Sequence, residues 1–251
     1  MALRHPLVLA YNVQARMHQI FRFRLVEHVK QILAQEGIQL HFLPLRNTPT
    51  TTLLTRAQTI TTALSAYPSP PHLIAFSLAG VEARIAIGSL KAPASSLTTI
   101  SSPINGCLLG DWANTHARTM NQLQPLLSFL GMHLPCFQEY STPRLQSLRS
   151  ELGVLPVPEY SISSKCAERE MCGLVQFGHD VITSSTTAPD TSNDGVIAVK
   201  EARHGTHLTT FEMDHTELMG SNQKNNCALV YRLAADAARL AEGHHFAKVK
   251  A

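Results

Sequence analysis

The chain has 251 residues, 44% of them hydrophobic and 16% charged, with a formal net charge of +3. That apolar content excludes wholesale disorder, and no apolar run approaches the ~18–20 residues that span a bilayer. Lys and Arg number 21 against 18 Asp and Glu and form no basic runs, so there is no electrostatic footprint for nucleic acid. The length suits one large α/β domain or two small ones. Five cysteines, at 107, 136, 166, 172 and 227, are odd in number and widely spaced, and read as buried or idle thiols. Cys166 and Cys172 stand further apart than a zinc-binding pair requires. The N-terminus shows neither a secretory signal nor an Arg/Ser-rich presequence, which reads as an intracellular protein or a processed chain.

In chain order, residues 7–10 (LVLA) predict a buried strand. Helical spacing over 19–35 follows, with Gly37 at the stop. Residues 38–45 read as a second strand. Residues 51–66 read as a helix with Leu53, Leu54, Ala57, Ile60 and Leu64 at helical spacing, closed by Pro68, Pro70 and Pro71. Residues 73–76 predict a third strand, 79–90 a helix directly behind it, and 97–101 a fourth strand. This alternation predicts a mostly parallel sheet covered by helices on both faces. The rhythm breaks over 113–157, a greasy stretch without a clear strand, here read as an insertion in a single domain covering 1–251. Residues 160–164 and 208–211 read as further strands, 183–193 as a polar loop, and Cys227–Ala241 as an Ala/Leu-rich closing helix.

Three short elements carry the chemistry. The run LIAFSLAG places Ser77 between an apolar strand and a helix, with Ala75 and Ala79 two residues away on either side. Small flanking residues suit a nucleophile elbow, a tight turn that projects the serine hydroxyl and aims the next N–H, that of Leu78, at a developing oxyanion. A serine capping a helix would look the same. The second element is Asn193-Asp194-Gly195 at the end of the polar loop, and the third is Asp214-His215 after the last strand. Their order, Ser77, Asp194, His215, is the serine–acid–histidine order of α/β-hydrolases.

On these residues the chain resembles the lipase branch of the α/β-hydrolases that includes yeast-type mitochondrial triacylglycerol lipases and related bacterial lipases. The resemblance rests on LIAFSLAGVEAR (73–84), LTTISSPING (97–106), NDGVIAVKEARHG (193–205) and residues 214–218, and spans about residues 6–220. It implies an α/β-hydrolase fold, mostly parallel with a helical cap over 113–157. Ser77 would be the nucleophile, Asp194 the acid and His215 the base, with Leu78 and Val13 forming the oxyanion hole and no cofactor required. The implied function is a serine esterase or lipase hydrolysing glycerolipid esters. The implied partners are an apolar ester or lipid, a lipid surface met peripherally, and a protein complex. The resemblance also implies a mitochondrial location. Leu126, Leu127, Phe129, Leu130 and Met132 would either line an acyl-binding surface of the cap or pack against the sheet.

The sequence departs from the family pattern in three places. Tyr11-Asn12-Val13 stands where the family has His-Gly in the oxyanion region, Phe76 replaces the histidine before the nucleophile, and Ile104-Asn105 replace His-Arg. Losing one oxyanion donor costs ~10²–10³ in rate, so the alternative is a catalytically impaired lipase-like protein serving as a binding or structural subunit. Acyl transfer to an acceptor other than water would use the same three residues. Glu217 alone falls well short of a calcium site, and no metal is expected. His204, His207, His244 and His245 read as surface histidines.

Overall fold

The structure, a computed structural model, describes residues 3–13, 25–46, 51–116, 139–185, 190–220 and 227–243. Its strands are β1 (Leu7–Val13), β2 (Leu40–Arg46), β3 (His72–Phe76), β4 (Ser96–Ile100), β5 (Glu159–Lys165) and β6 (Thr206–Glu212). They form one parallel sheet in the order β2-β1-β3-β4-β5-β6. The helices between them are α1 (Leu25–Gln35), α2 (Leu53–Ser65), α3 (Ala79–Gly88), α4 (Leu108–Thr115), α5 (Thr142–Leu152), α6 (Gly173–Ser184), the single turn α7 (Val199–Ala202) and α8 (Cys227–Ala241). No helix among the described residues is long and apolar enough to cross a membrane.

Period-two alternation in the strands sorts the core into two layers. Val8, Ala10, Leu73, Ala75 and Leu97 pack with Leu53, Ala57, Ile60 and Leu64 of α2 and with α3 and α5 on one face. Leu7, Leu9, Ile74, Phe76, Ile100 and Ile162 pack with α1 and α8 on the other. Each fully buried Leu or Ile is worth ~1.5–3 kcal/mol against exposure, so the apolar runs of β1 and β3 drive both layers at once. α2 starts where Thr52 accepts the Thr55 N–H at 3.2 Å. Gly37, at φ 72°, makes the left-handed stop of α1.

β5 (EYSISSK) is polar yet its centre is buried, because its hydroxyls have partners. Ser161 Oγ donates to the His204 carbonyl (2.7 Å), Ser163 bonds Thr210 (2.7 Å) and Ser164 donates to Asp194 (2.8 Å). A second polar core lies behind α3. Glu82, fully buried, accepts from Arg56 of α2 and from the Tyr140 hydroxyl (2.6 Å), and Arg56 also donates to Tyr140 (3.0 Å). Burial raises the Glu82 carboxyl, against the lowering charge of Arg56 and its hydrogen bonds. The network pins residues 139–140, where the chain enters α5, to the helix that follows Ser77.

Several features differ from the sequence expectations. The stretch 113–157 is not uniformly an insertion over the sheet: its first residues finish α4, and α5 buries Leu145 and Leu148 in the core layer with α3. Helical spacing there is masked by the polar outer face of TPRLQSLRSEL. The polar loop begins after Ser184, because α6 runs to that residue. His204 is buried, not solvated: Thr99 Oγ1 lies 2.6 Å from Nε2 and Glu159 Oε1 3.1 Å from Nδ1. Leu126, Leu127, Phe129, Leu130 and Met132, together with His244 and His245, lie outside the described residues.

Candidate active site

The chain runs from β1 to β2 on one side and returns to β3 on the other, so the sheet has its switch point between β1 and β3. In an open parallel sheet, the crevice beyond the carboxyl ends of the strands at that point is where ligands bind. Ser77 follows directly on β3, and Val13 ends β1 in the neighbouring strand.

Ser77 has φ 57°, a left-handed conformation unfavourable for a residue with a Cβ. The turn is held by its N–H to the Ile100 carbonyl (2.9 Å) and by the Gly80 and Val81 N–H groups, which donate to the carbonyls of Ser77 and Leu78 (both 3.1 Å). It is also tight. A Cβ on Gly80 would lie 2.3 Å from Ser102 Oγ, so α3 can approach the end of β4 only with glycine there. No acceptor among the described residues takes the Leu78 N–H, at the N-cap of α3, as expected for a first-turn donor.

His215 Nε2 lies 3.0 Å from Ser77 Oγ, and Nδ1 lies 2.9 Å from Asp194 Oδ2. These distances are within hydrogen-bond reach without a ligand. The backbone ties the same residues, since the His215 N–H donates to the Asp194 carbonyl (2.9 Å). Asp194 is fully buried; Oδ1 accepts the N–H groups of Val196 (3.0 Å) and Ile197 (2.8 Å), and Oδ2 accepts Ser164 Oγ (2.8 Å). Burial alone would raise its carboxyl; the charge and hydrogen bond of His215, with the Ile197 and Val196 N–H groups, hold it below the ordinary value. Gly195, at φ 88°, sits against Val175 of α6, which leaves no room for a side chain in that turn.

Asp214 fixes the loop that carries His215. Its Oδ1 accepts the N–H groups of Thr216 (2.7 Å) and Glu217 (2.9 Å), and its Oδ2 accepts the Cys172 N–H (2.8 Å). Glu217 answers by accepting the Asp214 N–H (3.0 Å). Phe76, the residue that departs from the family pattern, lays its ring over the imidazole of His215, with centroids 4.9 Å apart at 32°. It covers one face of the base.

The three residues singled out in sequence order are therefore together, and Leu78 is adjacent. Val13 stands one strand away. Sequence reasoning missed Ser101 and Ser164, and named Asp214 only as the neighbour of His215, without a role. The signal for Ser164 was a strand, 160–164, carrying hydroxyls where a buried strand normally carries aliphatics; Ser101, just past β4, had none. Among the described residues, Cys107, Cys166, Cys172 and Cys227 are free, with Cys107 and Cys227 buried. Among the described residues, only Glu168, His179 and Asp180 bring ligand atoms within 4.8 Å of one another, and two of the three are exposed.

In sequence, the chain matches no protein-family model and no curated protein. Solved structures are similar to it throughout its length. A lipase of Bacillus licheniformis in its mature form covers 92% of this chain and 91% of its own, at 17% identity and a TM-score of 0.69. A carboxyl esterase of metagenomic origin covers 96% and 76%, at 18% identity and 0.71. An extracellular α/β-hydrolase from a Paenibacillus species covers 94% and 99%, at 10% identity and 0.54. At such low identity the likeness speaks for architecture, and with the parallel sheet order and the turn at Ser77 after β3 it leads to one conclusion: the chain has the α/β-hydrolase fold.

Proposed function

We propose that this protein is a serine ester hydrolase with Ser77 as nucleophile, His215 as general base and acid, and Asp194 as its orienting carboxylate. The observation that carries the reading is the unbroken line of contacts Ser77 Oγ–His215 Nε2 (3.0 Å) and His215 Nδ1–Asp194 Oδ2 (2.9 Å), ending on a serine in a left-handed turn. Because an ionised carboxylate only accepts, Nδ1 carries the proton and Nε2 is free to take one from Ser77. Ser77 Oγ attacks the ester carbonyl as His215 takes its proton. The Leu78 N–H, joined by that of Val13, holds the oxygen that becomes negative. Collapse expels the alcohol, which receives the proton from His215, and leaves an acyl-serine. Water, activated by the same imidazole, releases the acid and restores Ser77.

The substrate reading is an ester with an apolar acyl group, a glycerolipid in the finer form. It is supported by the resemblance stated from the sequence and by solved relatives described as lipases and esterases. The impaired-protein alternative rests on the Tyr11-Asn12 region and Phe76. The packing of Phe76 on His215 weighs against it, because the substitution leaves the base in contact with both Ser77 and Asp194. A fluorophosphonate probe should label the folded protein stoichiometrically and Ser77→Ala not at all. An unlabelled wild type with intact circular dichroism would reject the reading. Hydrolysis of p-nitrophenyl esters of graded chain length then separates a preference for long acyl groups from short ones.

A further inference from the structure

The catalytic reading leaves unexplained two buried serines that continue the same line of hydrogen bonds beyond Asp194. Ser164, near the end of β5, donates to Asp194 Oδ2 at 2.8 Å, and Ser101, just past β4, lies 2.7 Å from Ser164 Oγ. Both are 1% exposed. The direction of the chain follows from valence. Ser164 has one hydroxyl proton, and the carboxylate can only accept it, so Ser101 must donate to Ser164. The order is therefore Ser101 to Ser164 to Asp194, meeting there the proton on His215 Nδ1. Asp194 Oδ2 then accepts from two side chains while Oδ1 accepts from two backbone N–H groups.

Ser101 also has φ 43°, a left-handed backbone at a residue with a Cβ. Asn or Gly would take that conformation with less strain. Strain of this kind persists where the surroundings over-determine it, typically beside working residues. Here the Ser101 N–H is held by the Ile162 carbonyl at 2.8 Å, and the turn comes immediately after Ile100, whose carbonyl holds the Ser77 N–H. One strand end thus braces the nucleophile turn through its backbone and faces the acid through its side chain.

We propose that Ser164 and Ser101 are positioning residues for the acid: a two-hydroxyl relay that fixes the rotation of the Asp194 carboxylate so that Oδ2 faces His215. The proposal rests on the catalytic reading of Ser77, His215 and Asp194. Without the relay, Oδ1 would stay anchored by the Val196 and Ile197 N–H groups, but Oδ2 would answer to His215 alone. Other ionisable groups around the pair are Asp214 and Glu217 on the His215 loop, His179 of α6, 3.1 Å from Asn193, and Lys165, paired with Glu212.

The test is an NMR titration of the His215 ring on the full chain, assigned by the signal lost in His215→Gln, with kcat and KM on a p-nitrophenyl ester measured in parallel. In Ser164→Ala the carboxylate charge is no longer shared with a hydroxyl, so the imidazolium is favoured and its midpoint rises. The acid limb of kcat/KM should move up with it, and kcat should fall about 10-fold at constant KM. Ser164→Thr, which keeps the donor, should restore both. Ser101→Gly removes the hydroxyl while keeping the turn, and should shift the midpoint in the same direction by less, since Ser164 is then less polarised. Should Ser164→Ala not fold, Ser164→Cys, close in volume with a weak donor, should show the same sign. A His215 midpoint in folded Ser164→Ala or Ser164→Cys that equals the wild-type value overturns the relay, whatever the activity. An unlabelled wild type, with the His215 midpoint still raised in Ser164→Ala, would reject the catalytic reading and leave the hydrogen-bond relay to Asp194 standing.

Discussion

Among the described residues, two histidines have a serine on one ring nitrogen and a carboxylate on the other, at opposite ends of the strands. His215, beyond the carboxyl ends of the strands, joins Ser77 (3.0 Å) to Asp194 (2.9 Å). His72, the first residue of β3, joins Ser96 (2.8 Å, at Nδ1) to Glu242 (3.1 Å, at Nε2). The wiring is the same with the nitrogens exchanged, but the settings are not. Ser96 starts a regular strand, paired in register with His72 and 1% exposed. Ser77 is partly exposed, turned out of its strand at φ 57°, beside the first N–H of a helix. Burial holds the His72 imidazole below its ordinary titration range despite Glu242, and Glu242 also accepts the N–H groups of Arg4 (2.8 Å) and His5 (3.0 Å). The lower trio is a latch that ties the N-terminal segment and the end of α8 to the sheet. A nucleophile needs a strained turn, an oxyanion donor and access; a serine, a histidine and a carboxylate in contact do not suffice.

The sharpest way to break this comparison is to delete each serine. Ser77→Ala should lower ester hydrolysis by about 10⁴-fold or more. Ser96→Ala should keep the rate and lose ~1–3 kcal/mol of stability, the cost of an unpaired buried group, read as a lower urea midpoint. An inactive but folded Ser96→Ala would erase the distinction.

Next in size is the turn itself. Gly80→Ala puts a Cβ 2.3 Å from Ser102 Oγ and 2.5 Å from Ser102 Cβ. It should cost ~1–3 kcal/mol by overpacking and reduce kcat, because α3 moves with Ser77. Gly37→Ala, at φ 72° with no atom near its Cβ, should cost only ~1 kcal/mol by backbone strain and leave kcat alone. Equal kinetic effects would separate the turn from the chemistry.

Glu242 gives the latch a pH signature. Burial opposes its charge, yet hydrogen bonds from the Arg4 N–H, His72 and the His5 N–H bring it from 4.5 to about 2. A depressed carboxyl stabilises the fold above its unfolded value and loses that contribution as the pH falls. Thermal midpoints of wild type and Glu242→Gln should therefore differ most at neutral pH and converge as the pH falls from 4.5 toward 2. A gap independent of pH would deny the latch its ionic character.

The last effect has the opposite sign. Burial pushes Glu201 from 4.5 up to about 7, against the N–H donors of Ala198 and Leu108. A raised carboxyl favours the fold while protonated, fully below 4.5, and loses that contribution as the pH rises through 7. Glu201→Gln should be spared this decline, so the stability difference between the two should change over that window and flatten above it.

Much of this was legible in the chain. The runs LVLA and LIAF are apolar on both faces because parallel strands are buried on both, and α2 and α8 show apolar residues at helical spacing because each buries one stripe. Small residues around Ser77 and the order Ser77, Asp194, His215 pointed to the site. α5 and α6 were missed: α5 is covered with polar residues over a narrow apolar stripe, and α6 follows directly on a polar segment. β5 read as a strand, but nothing in EYSISSK told which hydroxyls would face water.

The sequence by itself determined most of the strands and the helices with a wide apolar stripe, because their apolar periods and breakers are local, and it determined which serine could occupy a strand-to-helix turn. Tertiary structure alone decided which of the histidines meet a carboxylate. Asp194 and His215 are 21 residues apart, His215 and Ser77 are 138 apart, and His72 and Glu242 are 170 apart. No period or propensity reaches across such separations. They close because two core layers clamp one sheet, placing the ends of β3, β5 and β6 on one side and the start of β3 on the other. That placement makes one trio accessible beside a free N–H and leaves the other a buried latch.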